Sequence, residues 1–141
     1  MKQIFKYTLF SLLIIIIALN SAFAQFDSVM NCCEKYLSEE YLSDGQQYLS
    51  LVTGDQTAEF SVIFYGGNTY RVITCGGDEK NSLIFVVYDK FRNEIFRSSE
   101  YDNTCYWDFQ FASTVECFVE AKLDNENTGS GFAVLLIGLK K

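Results

Sequence analysis

From residue 47 to the end of the chain, apolar and polar positions alternate with a period of two, in short runs separated by turn residues. The runs are Gln47–Thr53, Ala58–Tyr65, Thr69–Cys75, Ser82–Asp89, Glu94–Ser98, Tyr106–Phe111, Val115–Leu123 and Phe132–Leu139. Side chains two apart share a strand face, so each run predicts a strand with one face to bury. Phe60, Val62, Phe64, Leu83, Phe85, Val87, Phe109, Val119 and Val134 form the predicted core on that basis. Eight short strands with no helical pattern between them predict an antiparallel sandwich rather than a parallel α/β sheet. The fold class is mainly β, with the sandwich over residues 47–141.

Before residue 47 the period changes. Phe26, Val29, Cys33, Tyr36, Leu37 and Tyr41 recur near helical spacing, with Glu34, Lys35, Glu39 and Glu40 mostly opposite. One amphipathic helix, running from Phe26 to Tyr41, is predicted for the N-terminal segment 25–46, capped by Asp27 or Ser28 and ended by Ser43-Asp44-Gly45. Residues 1–24 have a different character again. Lys2 and Lys6 precede an apolar run of about 13 residues, Tyr7 to Leu19, and Ala22-Phe23-Ala24 follows. That order reads as a secretory signal peptide cleaved before Gln25. The run falls short of the roughly 20 residues that span a bilayer, so no membrane span is expected after cleavage.

The stretch GGNTYRVITCGG at residues 66–77 puts a glycine pair at each end of a predicted strand. A phosphate-cradling loop needs its glycines between a strand and a helix N-terminus. Each pair here leads into another strand, so the glycines read as turn residues that accept positive φ.

With the strands placed, the order AEFSVIFYGGNTYRVITC, SLIFVVYDKFRNEIF, STVECFVEAKL and GFAVLLIG, over residues 58–138, resembles bacterial pre-peptidase C-terminal domains. The resemblance lies in the opening aromatic strand, the strand at Tyr70, the strand ending at Asp89 and the final Gly131-Phe132 strand. It implies a jelly-roll-like β-sandwich and a non-catalytic accessory role in binding, targeting or maturation. Two departures stand out: no peptidase is attached, and an N-terminal helix with paired cysteines precedes the sandwich.

Composition narrows the function further. Removing Lys2 and Lys6 leaves 9 Lys+Arg against 18 Asp+Glu, a mature charge of −9. Nucleic acid is excluded as a partner by that charge and by the lack of a basic stripe. The chain has no histidine, which removes the usual base for a serine or cysteine nucleophile. Glu116 and Glu120 stand about 13 Å apart by strand rise and cannot by themselves pair as glycosidase carboxylates; Asp108 could approach from a neighbour, but solvated outer-face charge is the reading taken. The sequence therefore predicts a protein that is not an enzyme.

Five cysteines in an exported chain point to disulfides, two bridges leaving one thiol over. No CxxC pair exists, and adjacent Cys32-Cys33 chelates metal poorly. Cys33 lies on the apolar helical face, with Cys32 turned about 100° away. Cys117 shares the buried strand face of Val119, so a helix docked on the sandwich edge predicts a Cys33–Cys117 bridge.

Two further features stay open. Asp124, Asn125, Glu126 and Asn127 form either a plain polar turn or a weak Ca²⁺ site, the one cofactor the sequence offers. Tyr65, Tyr88, Tyr106 and Trp107, with Tyr101, are either sheet-packing residues or a platform for sugar rings. The functional reading is a secreted or periplasmic non-catalytic module with a protein partner, or alternatively a carbohydrate-binding module with a glycan partner. Intact-mass analysis of exported protein is expected to return residues 25–141, and a mature chain starting at Met1 would refute the cleavage.

Overall fold

A computed structural model of the chain describes residues 1, 4, 6–8, 10–11, 27–76, 83–124 and 129–141. Nine strands lie among them: β1 (Tyr41–Ser43), β2 (Tyr48–Thr53), β3 (Thr57–Phe64), β4 (Thr69–Gly76), β5 (Leu83–Asp89), β6 (Glu94–Arg97), β7 (Tyr106–Gln110), β8 (Val115–Leu123) and β9 (Ser130–Lys140). One sheet has the order β1-β9-β4-β7, with β2 also paired to β9; the other has the order β3-β8-β5-β6. All pairings are antiparallel.

From β2 onward, the chain crosses between the sheets at every connection except the β5–β6 hairpin. Two facing four-stranded sheets, 2-9-4-7 and 3-8-5-6, are the strand order of a jelly roll. The eight predicted strands are these eight. β1 is an addition that alternation over three residues could not announce.

The interior between the sheets is filled from both sides. Phe60, Val62 and Phe64 of β3, Phe85 and Val87 of β5, and Cys117 and Val119 of β8 meet Tyr70, Val72, Phe109, Leu135 and Ile137 of the other sheet. Phe64 is fully buried, with Tyr70 and Phe111 rings at 5.0 Å. Val134, assigned to this core from sequence, is buried on the opposite face of its sheet. The run Ala133–Ile137 is buried throughout, so alternation could not tell which of its residues face inward.

At the first glycine pair, a Cβ on Gly66 would stand 2.6 Å from the Ser113 backbone, and Gly67 has φ 81°. One glycine permits close approach and the other supplies the turn. The Gly67 amide donates to the Phe111 carbonyl at 2.8 Å, tying the β3–β4 turn to the β7–β8 connection. Gly76 ends β4, and Gly77 lies outside the described residues.

The N-terminal segment departs from expectation in two ways. Residues 27–34 are helical, but the helix does not continue to Tyr41. Tight turns follow, with Tyr36 N bonded to Cys33 O and Tyr41 N to Ser38 O, both at 3.0 Å. Tyr41 then opens β1, which pairs Gly138 to Lys140 of β9. β2 reaches β9 only as far as Leu135, so the end of β9 needs another partner for its backbone groups. Gly138 makes room for this: a Cβ there would meet Leu37 and Tyr41.

The second departure is the disulfide. Cys33 is bonded to Cys75, not Cys117. The helix lies on the outer face of the β9-β4 sheet, where Val29, Met30 and Cys33 bury Ile73, Cys75, Val134 and Leu136. Cys117 faces the interior from the other sheet, with the β9-β4 sheet standing between it and the helix. In the chain-entropy account, closing a loop of separation 42 adds about 4 kcal/mol.

Truncating Phe64 to Ala should cost about 3–5 kcal/mol in urea unfolding, because it empties the centre of the core. A loss below about 1 kcal/mol would place that ring at the surface.

Candidate binding cleft

The two outer faces of the sandwich carry different chemistry. On the β9-β4 sheet, Arg71 and Asp108 stand opposite each other in the β4–β7 register and form a two-pronged ion pair, 2.7 Å at Nε and 2.8 Å at Nη2. The guanidinium lies between the Tyr41 and Tyr106 rings, 4.3 and 4.6 Å from their centroids. It also donates to the Tyr36 carbonyl at 3.0 Å, and the Tyr41 hydroxyl donates to Asp108 at 2.9 Å. These contacts fasten residues 36–41 to the sheet. The Arg71 guanidinium holds the Asp108 carboxyl below the usual carboxylate range, while burial first, and then Asp108, raises the Tyr41 phenol.

The outer face of the other sheet carries a different cluster. Arg92, at φ 66° in the β5–β6 turn, reaches over the Phe118 ring at 4.2 Å to Glu59 and Glu120. Tyr88 stands opposite Phe118. Glu116 is exposed on this face, whereas Asp108 belongs to the opposite one. The three carboxylates weighed for catalysis therefore do not share a cleft.

A concave site lies where the edges of the two sheets part. The β1–β2 connection on one side and β3 on the other enclose a cleft of about 560 Å³. Its walls include Leu42, Asp44, Tyr48, Ile63, Tyr65 and Tyr70. Each wall is positioned by the fold. Asp44 donates its amide to the Ile137 carbonyl at 3.0 Å, and its carboxylate accepts the Gln46 amide at 2.8 Å. The Tyr65 amide donates to the buried Tyr70 hydroxyl at 3.1 Å, and the Tyr48 ring packs edge-on to Phe60.

Ile63 and Tyr65 remain 54% and 62% exposed, apolar surface that the fold leaves uncovered. Burial pushes the Asp44 carboxyl upward, the Gln46 amide partly offsetting it. The cleft thus joins one partly desolvated carboxylate to three tyrosines, and among the described residues that line it none is basic. Such a lining suits a cationic group, which gains from the carboxylate and from ring faces.

The four aromatic candidates separate. Tyr65 alone is in the cleft. Tyr88 is on the outer face of the β3-β8-β5-β6 sheet, and Tyr106 is packed between Arg71 and Tyr36. Trp107 points inward, stacked on Phe96 at 4.8 Å and beside Tyr101 at 4.5 Å. Of the polar loop, Asp124 accepts an Asn103 amide hydrogen bond at 3.1 Å, and Asn125, Glu126 and Asn127 lie outside the described residues. Sequence reasoning missed Asp44 and Leu42. Their signal was an acidic residue in a turn and an apolar residue beside it, which is common wherever a chain reverses.

No family model matches the chain, and no curated protein does. Among solved structures, the chain is similar to the Aeromonas hydrophila protein PliG, a periplasmic lysozyme inhibitor of g-type lysozyme. The likeness has a TM-score of 0.53 at 14% identity, over 73% of this chain and 90% of that one. At that identity it is a likeness of fold.

Asp108 gives a pH test of the outer-face clasp. Its folded pKa is depressed, so its contribution is complete above the unfolded value near about 3.9 and is lost as pH falls through the folded value. Asp108→Asn should lower stability by about 1–2 kcal/mol at neutral pH. In urea titrations that difference should shrink below about pH 3.5; a difference constant from pH 7 to 2.5 would refute the role.

Proposed function

We propose that the chain is a non-catalytic binding module working outside the cytoplasm, and that it binds a cationic protein through the cleft between the β1–β2 connection and β3. The observation that carries this reading is the cleft's lining: Asp44 and three tyrosines, with Ile63 and Tyr65 exposed at its side. A lysine or arginine of the partner fits between carboxylate and rings, while Ile63 and Tyr65 supply apolar contact around it.

Three further observations support the reading. The signal-like segment and the Cys33–Cys75 bridge favour an oxidising compartment. The mature charge of −9, from 9 basic and 18 acidic residues, steers a basic partner toward the chain. PliG, similar in fold, is a periplasmic inhibitor of a protein. An inhibitor-like role, in which this module occupies a functional surface of its partner, is the finer form of the proposal. No helix among the described residues is long and apolar enough to cross a membrane.

Titration calorimetry of the mature chain against g-type lysozyme, with an acidic protein as control, tests the reading. Binding should be saturable, weaken with salt, and lose about tenfold in affinity on Asp44→Asn or Tyr65→Ala. Saturable binding to oligosaccharides on a glycan array, lost on Tyr65→Ala and with no protein bound, would favour the carbohydrate module instead.

A further inference from the structure

Cys33 and Cys75 account for two of the five cysteines, and the remaining three stand in different surroundings. Cys117 is fully buried between the sheets. Cys32 is half-buried on the helix, and Cys105 is buried in the segment just before β7. The Cys105 carbonyl accepts the Thr74 amide at 2.8 Å, so its backbone runs beside Thr74, one residue from Cys75. Cys32 immediately precedes Cys33, whose sulfur is bonded to that same Cys75. The next turn of the segment confirms the neighbourhood: the Tyr36 ring is 5.6 Å from that of Tyr106, the residue after Cys105.

We propose that Cys32 and Cys105 form a second disulfide in the exported protein, parallel to Cys33–Cys75. The pairing turns an odd cysteine count into two adjacent bridges and one buried thiol. It ties the helix to the β6–β7 connection as well as to β4, so both flanks of the helix are held. Burial raises the Cys105 thiol, a hydrogen bond with Tyr36 opposes that shift, and Cys32 adds a smaller upward push. Burial also pushes Cys117 up to about 11, which leaves it a poor nucleophile at neutral pH.

The chemistry requires a disulfide-carrying oxidant, the usual class in an oxidising compartment. Cys32, reachable from solvent, attacks that disulfide as its thiolate and forms a mixed disulfide. The Cys105 thiolate then attacks the Cys32 sulfur, and the oxidant leaves as a dithiol. Two thiols lose two protons and two electrons, and the acceptor disulfide gains them.

Mapping of the exported protein, alkylated under denaturing conditions without reduction, tests the pairing. Digestion with trypsin and a glutamate-specific protease separates Cys105 from Cys117, because Glu116 lies between them. The peptide holding Cys32 and Cys33 should be joined to both the Cys75 and Cys105 peptides, with Cys117 alone alkylated. In Cys32→Ser, the Cys105 peptide should be released and alkylated while the Cys75 peptide stays joined. Alkylated Cys32 and Cys105 in the unsubstituted protein would overturn the proposal. So would a Cys105 peptide still cross-linked in Cys32→Ser. The unsubstituted protein decides the question alone if that variant does not fold.

Discussion

β9 carries an apolar run, Ala133–Ile137, that is buried on both of its faces. A strand of that kind cannot lie at a surface, and neither can the β4 residues beside it, where Ile73 and Cys75 face outward and Val72 faces inward. The β9-β4 sheet must therefore be covered twice. The facing sheet covers its inner side, and residues 27–37 cover its outer side. Burial of a Leu or Ile side chain is worth about 1.5–3 kcal/mol, so exposing Ile73 and Leu136 would remove a large part of a marginal stability.

The outer cover is short, and a helix of this length is not stable by itself. It is held by unlike means at its two ends. Near the helix, the bond from Cys33 to Cys75 is covalent. Past the helix, Arg71 gathers Asp108, the Tyr36 carbonyl and two tyrosine rings around one guanidinium. Only arginine can do this, since a planar cation can take a forked carboxylate in its plane while rings lie on its faces. β1 completes the attachment by pairing with the end of β9.

The cleft results from the same arrangement. Because β1 and β2 share one edge of β9, the chain must leave the sheet between them, and residues 44–47 form that excursion. The loop stands away from β3, and the gap exposes Asp44 beside Tyr48 and Tyr65. A cleft formed where two sheet edges diverge rests on a rigid frame, because Tyr70 and Ile137 belong to the core while Asp44 and Tyr65 stand on its exposed side.

The period-two runs determined the strands, their inward faces and the sandwich, because alternation is a direct consequence of burying one side of a pleated ribbon. Phe60, Val62, Phe64, Phe85 and Val119 were legible for that reason. The missing histidine and the acid excess were also plain in composition. Tertiary structure decided the rest. Tyr41 had helical spacing, yet the unpaired end of β9 drew it into a strand. Val134 had a strand face assigned, yet a doubly buried strand offers two apolar faces and alternation cannot choose between them. Cys33 was correctly placed on the buried side of the helix, but its partner depended on which sheet face the helix covered. Tyr65, Tyr106 and Trp107 looked alike in sequence and ended in a cleft, under a clasp and in the core. A local pattern records which residues avoid water, and only the meeting of distant strands determines what they touch instead.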